Sequence, residues 1–384
     1  MQKGLIRIAI MTDTMDRSAR GTALYTRKLV KNLLPLAKEF GFEFTLVHSN
    51  KNNDALYREA KELILPKISI PKIGKILSES WFLIRSRGQF DIIHYPQEAN
   101  YPLFWLSDAR IVLSVLSHIE GWKEFGLPIR YRMVKATLGY FGWRISAIIC
   151  GSASSVKKSL MRNFSIPESK IFHTSLGVDD VFFKAPVHMS AKEHMARTYS
   201  FKTPYILAPA RQDIQKNVPR IVEAFARAKK EMNLPHALYF GSTHRSDEDG
   251  RVQDVIRKYR LESVAQRFPF IENVDMPALY AGADVTVFPS LHEGFGLPIL
   301  ESMAVGTPVI TSNVYSMPEV AGGAALLVNP KSVDEIKDAL VKLLTNQELA
   351  TELREKGKKN AQLFSWEKMG RETAEVYRHV AKTR

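Results

Sequence analysis

Glu293 and Glu301 stand eight positions apart around the turn Gly294-Phe295-Gly296-Leu297-Pro298. The stretch before them, Asp284-Val285-Thr286-Val287-Phe288, is apolar and β-branched and predicts a strand. The stretch after them predicts a helix, because Pro298 suits a first helical turn and Ile299, Leu300 and Met303 supply one apolar face. A glycine-rich loop between a strand and a helix start aims free N–H groups and the positive end of a helix dipole at one place, which suits a phosphate. Glu293 then lies in the loop, beside whatever the phosphate carries. Glu301, one turn into the helix, can accept hydrogen bonds from sugar hydroxyls. The plainer alternative is a strand-to-helix loop with two surface glutamates of no chemical consequence.

Arg211 and Lys216 form a second constellation. They follow a predicted strand at 204–208 and precede Asn217, a good N-cap, and Pro219, suited to a first helical turn. Two cations flanking a helix start at the carboxyl end of a sheet lie where open α/β sheets take ligands. There they would stabilise the negative charge of a bound phosphate. Alone, such a pair reads as solvated surface charge; beside the Glu293 loop it reads as a phosphate clamp. Asp247-Glu248-Asp249 has an Asp-x-Asp spacing that could hold a metal, but it sits among His244, Ser246 and Gly250 and reads as a solvated loop. No metal and no cofactor is expected, since Arg211 and Lys216 already supply positive charge.

These residues carry a resemblance. Glu293 to Glu301, continued by Ser302-Met303-Ala304-Val305-Gly306-Thr307-Pro308 and Pro318-Glu319-Val320, resembles the E-x7-E signature of retaining glycosyltransferase family 4. The resemblance is dense over 204–330 and thinner over 1–180. It implies an α/β protein of two Rossmann-like, doubly wound parallel-sheet domains facing a cleft (the GT-B fold). It also implies a nucleotide-diphosphate sugar as donor and retention of anomeric configuration. On this basis Arg211 and Lys216, which match an Arg-x4-Lys-Asn clamp with Asn217, hold the diphosphate. Amides from Gly294, Phe295, Gly296 and Leu297 support it. Glu301 binds the ribose, Glu293 the donor sugar, and the backbone around Phe270 lies against the base. Gly21-Thr22-Ala23-Leu24-Tyr25-Thr26 resembles a glycine loop of some mannosyltransferases, with Ala23 in place of the second glycine, so Gly21 joins the donor residues. Family members carry His-Asp after a central strand of the first domain. Here the nearest match is His118, shifted by about two positions and followed by Ile119, and a structural histidine is the alternative. The catalytic set implied is therefore Glu293, Arg211, Lys216 and His118.

A chain of 384 residues suits two domains. Strand and helix patterns alternate from Ile6 to Cys150 and again from Pro204 to Val328, the signature of parallel sheets. The expected division is an acceptor-binding domain at 1–185, a linker at 186–203, a donor-binding domain at 204–365, and a C-terminal helix at 366–384. The resemblance implies that this helix packs back on the first domain. The start of the chain reads as a first strand, and the lone Cys150 suits a reducing cytoplasm.

The net charge of +14 is uneven: residues 1–190 hold 27 Lys and Arg against 16 Asp and Glu, and the remainder 27 against 24. Such a first half favours an anionic partner. Nucleic acid is not expected, because no helix-turn-helix, zinc or RNP-like pattern accompanies the charge. Two basic, tryptophan-bearing stretches, Lys72 to Arg87 and Trp122 to Trp143, suggest peripheral contact with an anionic membrane. In the first, Ile73, Ile76, Leu77, Trp81 and Ile84 recur at helical spacing; a helix packed into a core is the alternative. The expectation is a metal-independent hexosyltransferase. It would use GDP-mannose before a UDP-sugar and act on a saccharide or lipid-linked acceptor, in the cytoplasm or at the inner face of the plasma membrane. A nucleotide-sugar epimerase of the same fold and a non-catalytic sugar-nucleotide-binding protein are the rivals.

Overall fold

The computed structural model describes residues 4–16, 21–51, 54–70, 74–97, 103–117, 119, 131–132, 134–136, 138, 142–209, 214–241 and 250–383. The chain divides into two compact units, one of Met1–Gly177 with Ser365–Arg384 and one of Val178–Phe364. Each unit holds one parallel sheet.

The first sheet has seven strands: β1 (Ile6–Met11), β2 (Phe42–His48), β3 (Lys61–Ile64), β4 (Ile92–Tyr95), β5 (Arg110–Val115), β6 (Ile145–Cys150) and β7 (Ile171–His173), in the order β3-β2-β1-β4-β5-β6-β7. Its central strands are buried on both faces, which is why they read as continuous apolar runs rather than alternating ones. Helix α1 (Thr22–Leu33) follows β1. It stops short of Pro35, which lacks the N–H a longer helix needs; a 3-10 turn and a four-residue helix carry the chain on to Gly41. Helix α2 is Gly74–Arg85 and helix α3 is Lys158–Phe164. The final helix, Trp366–Lys382, starts at Ser365, whose hydroxyl accepts from Lys368 N at 3.0 Å. It lies close against α1: a Cβ on Gly370 would come within 2.7 Å of Asn32 Cβ. A buried polar chain fixes that packing. His94 on β4 contacts the Tyr377 hydroxyl at 2.5 Å and Ser114 Oγ at 2.9 Å, and Ser114 Oγ meets the Tyr25 hydroxyl at 2.8 Å. Burial pushes the His94 pKa down to about 3, so the ring is neutral.

The second sheet has six strands: β8 (Tyr205–Ala208), β9 (Ala237–Phe240), β10 (Ala265–Arg267), β11 (Val285–Phe288), β12 (Val309–Ser312) and β13 (Leu326–Val328), in the order β10-β9-β8-β11-β12-β13. The stretch expected as a linker is instead largely helix α4 (His188–Tyr199), and the boundary between units falls at Gly177, ahead of it. The apolar period is weak because α4 fully buries only Ala191 and Met195. Polar contacts hold the rest. His188 donates to Ala281 O at 2.6 Å and faces Asp284 at 3.0 Å, and Lys192 reaches Asp284 at 2.7 Å. Tyr199 donates to Asp275 at 2.7 Å. Burial alone would raise the Asp284 carboxyl; bonds from His188, His236 and Lys192 outweigh it and hold the group far below the usual carboxylate range. Helices α5 (Val218–Met232), α6 (Met276–Ala281) and α7 (Leu297–Val305) complete the frame around the site.

Candidate functional site

The loop from Pro289 to Gly296 joins the carboxyl end of β11 to α7. It is irregular, yet tightly held through its carbonyls. Asn217 Nδ2 donates to Pro289 O at 3.0 Å, and Ser312 Oγ to Ser290 O at 2.6 Å. Ser316 Oγ lies 3.0 Å from Glu293 O and 2.8 Å from Phe295 O. Leu291 N donates to Gln215 O at 2.7 Å, pinning the loop to the segment ahead of α5. Gly296 has φ of +112°, which L side chains rarely adopt, and a Cβ there would crowd Ile299 Cδ1 at 3.1 Å.

The N–H groups of this loop are the counterpart. Among the described residues, those of Gly294, Phe295, Gly296 and Leu297 donate to no protein acceptor. Buried N–H groups without a partner are rare and costly, and Gly294, Phe295 and Gly296 are buried. Four such donors in succession at the start of a helix make an anion-receiving concavity.

Beside it, Lys216 and Glu293 pair directly, with side chains about one-seventh exposed. Lys216 Nζ also stands 5.1 Å from the centre of the Phe288 ring. The cation expected at the diphosphate and the carboxylate expected at the sugar therefore hold each other in place. Glu301 accepts from the Tyr280 hydroxyl at 2.5 Å, which fixes it on α7 from α6. Phe270, beyond β10, is half exposed.

One expectation changes in detail, and two residues gain definition. Asn217 occupies the N-cap position of α5, but in a left-handed conformation and without a side-chain cap bond. Its amide is spent on the carbonyls of Pro289 and Pro330 and its oxygen accepts from Arg220, so the side chain braces the loop and has no N–H left to donate to a ligand. The Phe295 ring is buried against Phe364 at 6.0 Å, leaving only its N–H for a donor. Gly21 belongs to the first unit, where it precedes α1 with φ of +62° and its carbonyl accepts from Tyr25 N. Arg211, His118 and the Asp247-Glu248-Asp249 triplet lie outside the described residues. The residues that sequence reasoning missed are Tyr280, Ser312 and Ser316. Each reaches the loop or Glu301 from a separate element, and no local spacing announces them.

Comparison with known proteins bears on the class of the protein. Residues 192–360 match the family Glycosyl transferases group 1. The chain is 30% identical over 228 residues to O-antigen chain mannosyltransferase B of Escherichia coli, an alignment covering 58% of this chain and 58% of that protein. It is 24% identical to the MMP alpha-(1->4)-mannosyltransferase of Mycolicibacterium hassiacum across 97% of this chain and 98% of that one. Among solved structures, the Anabaena protein HepE in complex with UDP and glucose superposes with a TM-score of 0.76 at 14% identity, over 97% of this chain and 99% of that one. At that identity the likeness speaks for the fold. The class is thus two Rossmann-like parallel-sheet units, the GT-B architecture. Residues 192–360 carry a group 1 glycosyltransferase domain, and the two relatives above are mannosyltransferases.

Proposed function

We propose that the protein is a retaining hexosyltransferase that moves a sugar from a nucleotide-diphosphate donor, GDP-mannose before a UDP-sugar, to a saccharide or lipid-linked acceptor in surface polysaccharide or glycolipid synthesis. The run of four unpartnered N–H groups from Gly294 to Leu297, next to the Lys216–Glu293 pair, carries this reading. The names of the relatives from Escherichia coli and Mycolicibacterium hassiacum support mannose.

In this reading the diphosphate lies on the loop amides with Lys216 and Arg211 beside it. Glu301 takes the ribose hydroxyls and Glu293 the hydroxyls of the donor sugar. The bond from the anomeric carbon to the diphosphate oxygen breaks with its electron pair on the diphosphate. The acceptor hydroxyl oxygen bonds to that carbon, and its proton ends on the departing diphosphate. Growing charge on the leaving group meets fixed donors that need no reorganisation, which lowers the barrier without a metal ion. Retention requires the acceptor to enter from the face the diphosphate leaves.

The acceptor's character comes from the first unit. On α2 the recurring apolar residues Leu77, Trp81 and Ile84 face outward, while Phe82 and Leu83 point into the core. Arg85 stacks over the Trp81 ring at 5.9 Å, and the one acid of the helix, Glu79, is buried. Lys75 is not part of this face: it pairs with Asp13 at 3.2 Å and Glu79 at 3.4 Å. Lys72 and most of the stretch from Trp122 to Phe141 lie outside the described residues. An outward apolar stripe with tryptophan, arginine and no exposed acid suits the surface of an anionic bilayer. Among the described residues no helix is long and apolar enough to cross a membrane. The reading is of a cytoplasmic protein that contacts the inner face of the plasma membrane through this helix.

A thermal-shift panel of GDP, UDP, GDP-mannose and UDP-glucose, with and without EDTA, tests the donor site. Saturation at a hundred times Kd stabilises by about 2.7 kcal/mol. A base-selective shift that survives EDTA is expected; no shift with any nucleotide defeats the transferase reading. Co-sedimentation with phosphatidylglycerol vesicles tests the surface. Trp81→Ser with Ile84→Ser should abolish it, and binding equal to wild type removes α2 from the membrane.

A further inference from the structure

The C=O and N–H of one peptide unit point in opposite directions, because the plane is rigid and trans. The carbonyl of Glu293 shares its plane with the N–H of Gly294, and the carbonyl of Phe295 shares its plane with the N–H of Gly296. Both carbonyls turn to one hydroxyl: Ser316 Oγ lies 3.0 Å from the first and 2.8 Å from the second. Ser316 is fully buried and follows Tyr315, a non-glycine residue held at φ of +57° that swings the chain back toward the loop. The other braces end elsewhere: Asn217 on Pro289 O and Ser312 on Ser290 O.

We propose that Ser316 is a positioning residue whose hydroxyl sets two peptide planes, and so aims the N–H groups of Gly294 and Gly296 together at the donor's diphosphate. The reading rests on the donor site proposed above. Its physical content is a choice of sign. Glycine carries no Cβ to resist rotation of the plane on either side. Without the hydroxyl, the plane between Glu293 and Gly294 is free to turn its carbonyl outward. An outward carbonyl presents partial negative charge to a diphosphate where an N–H presented positive charge. One buried hydroxyl therefore decides whether the loop attracts or repels the anion. A serine serves here because its single proton can be shared between two nearby carbonyls, and its oxygen is small enough to sit under the loop.

The test is calorimetric binding by the full chain of inorganic pyrophosphate, of GDP and UDP, and of the corresponding free nucleosides. Ser316→Ala should weaken pyrophosphate and nucleoside diphosphate by roughly ten- to a hundredfold, the scale of hydrogen bonds to a charged group. Affinity for the nucleoside should stay within about twofold, because its contacts lie elsewhere. Ser316→Thr, which keeps the hydroxyl, should restore most of the lost affinity. If Ser316→Ala does not fold, Ser316→Cys, a weaker donor of similar size, makes the same comparison. Equal pyrophosphate affinity in variant and wild type overturns the proposal, and so does an equal loss of nucleoside and diphosphate, which would mean a general structural role. Wild-type protein that binds neither pyrophosphate nor a nucleotide overturns the donor-site reading and this one with it. Wild type that binds both while the variant is unchanged overturns the role of Ser316 alone.

Discussion

The two units share a sheet architecture but treat its carboxyl end in opposite ways. At the end of β1 and β2 in the first unit, polar side chains satisfy one another. Asp13 accepts from Ser49 N at 2.7 Å and faces Lys75 at 3.2 Å. His48, fully buried, stands between Asp16 at 3.2 Å and Glu62 at 2.9 Å, with the Tyr57 ring stacked on it at 4.0 Å. In the second unit, the buried side chains Asn217, Ser312 and Ser316 turn to backbone carbonyls, and the opposing N–H groups are left over. A closed network of side chains holds a fold; a loop braced mainly through its carbonyls holds a fold and leaves donors for an anion. Buried polar side chains thus close on one another in one unit and turn to backbone carbonyls in the other.

Four changes would break or sharpen this contrast, and the first should be the largest. Lys216→Ala removes the cation beside the loop and leaves Glu293 without its partner. Transfer from a nucleotide-sugar should fall by about a hundred- to a thousandfold in kcat/KM, the scale of losing one donor to a developing anion. Denaturant stability should fall as well, because the pair is only about one-seventh exposed and Glu293 is left largely buried without its cation. A loss below about fivefold in a coupled assay for released nucleoside diphosphate would remove Lys216 from the chemistry.

In the first unit the expectation reverses. His94→Ala strands the Tyr377 hydroxyl in the core, takes one of the two partners of Ser114, and should cost about 3 kcal/mol in urea unfolding, with nucleotide affinity intact. The pH dependence follows from the lowered pKa. The unfolded histidine takes up a proton below about 6.5 while the folded one does not until about 3. Its contribution is whole above pH 6.5 and is lost on acidification, at about 1.4 kcal/mol per pH unit once well below that value. Urea midpoints measured from pH 7 to pH 5 should fall less steeply in His94→Ala than in wild type. Parallel slopes would show that His94 is not the group titrating.

Gly296→Ala should combine both effects on a smaller scale. The φ of +112° and the crowding at Ile299 predict a loss of roughly 1–3 kcal/mol in stability, and with it a several-fold weaker diphosphate. Unchanged melting and binding would mean that the loop has an equivalent conformation open to alanine. The smallest effect is expected from Tyr280→Phe, which takes one hydrogen bond from Glu301 and keeps the carboxylate. A KM increase for the donor of a few-fold, about 1 kcal/mol, with kcat unchanged, would fit a ribose contact positioned from α6. A fall in kcat alone would place Glu301 in the chemistry instead.

Much of the second unit was legible along the chain. Apolar runs mark β8, β9, β11 and β12 because parallel strands are buried on both faces, and Gly296 with Pro298 marks the turn into α7. Short, polar β3 and β10 escaped, since their residues are exposed on one side or both and carry no apolar run. Helix α4 escaped because acids on other elements hold it through its polar residues rather than through an apolar stripe. The period over Leu77, Trp81 and Ile84 was visible, but a period gives no sign of whether a face points inward. Only packing showed that Phe82 and Leu83 take the core and leave the tryptophan outside.

The sequence by itself determined the alternation of the buried strands with helices, the glycine turn between Glu293 and Glu301, and the candidate residues of a phosphate site, because these depend on neighbours in the chain. Tertiary structure decided which partners those residues take. Asn217 turned from cap to brace, Lys216 met Glu293 across 77 positions, and Ser316 reached back 23 positions to the carbonyl of Glu293. The orientation of a peptide plane is a matter of which distant hydroxyl lies beneath it, and no local pattern carries that information.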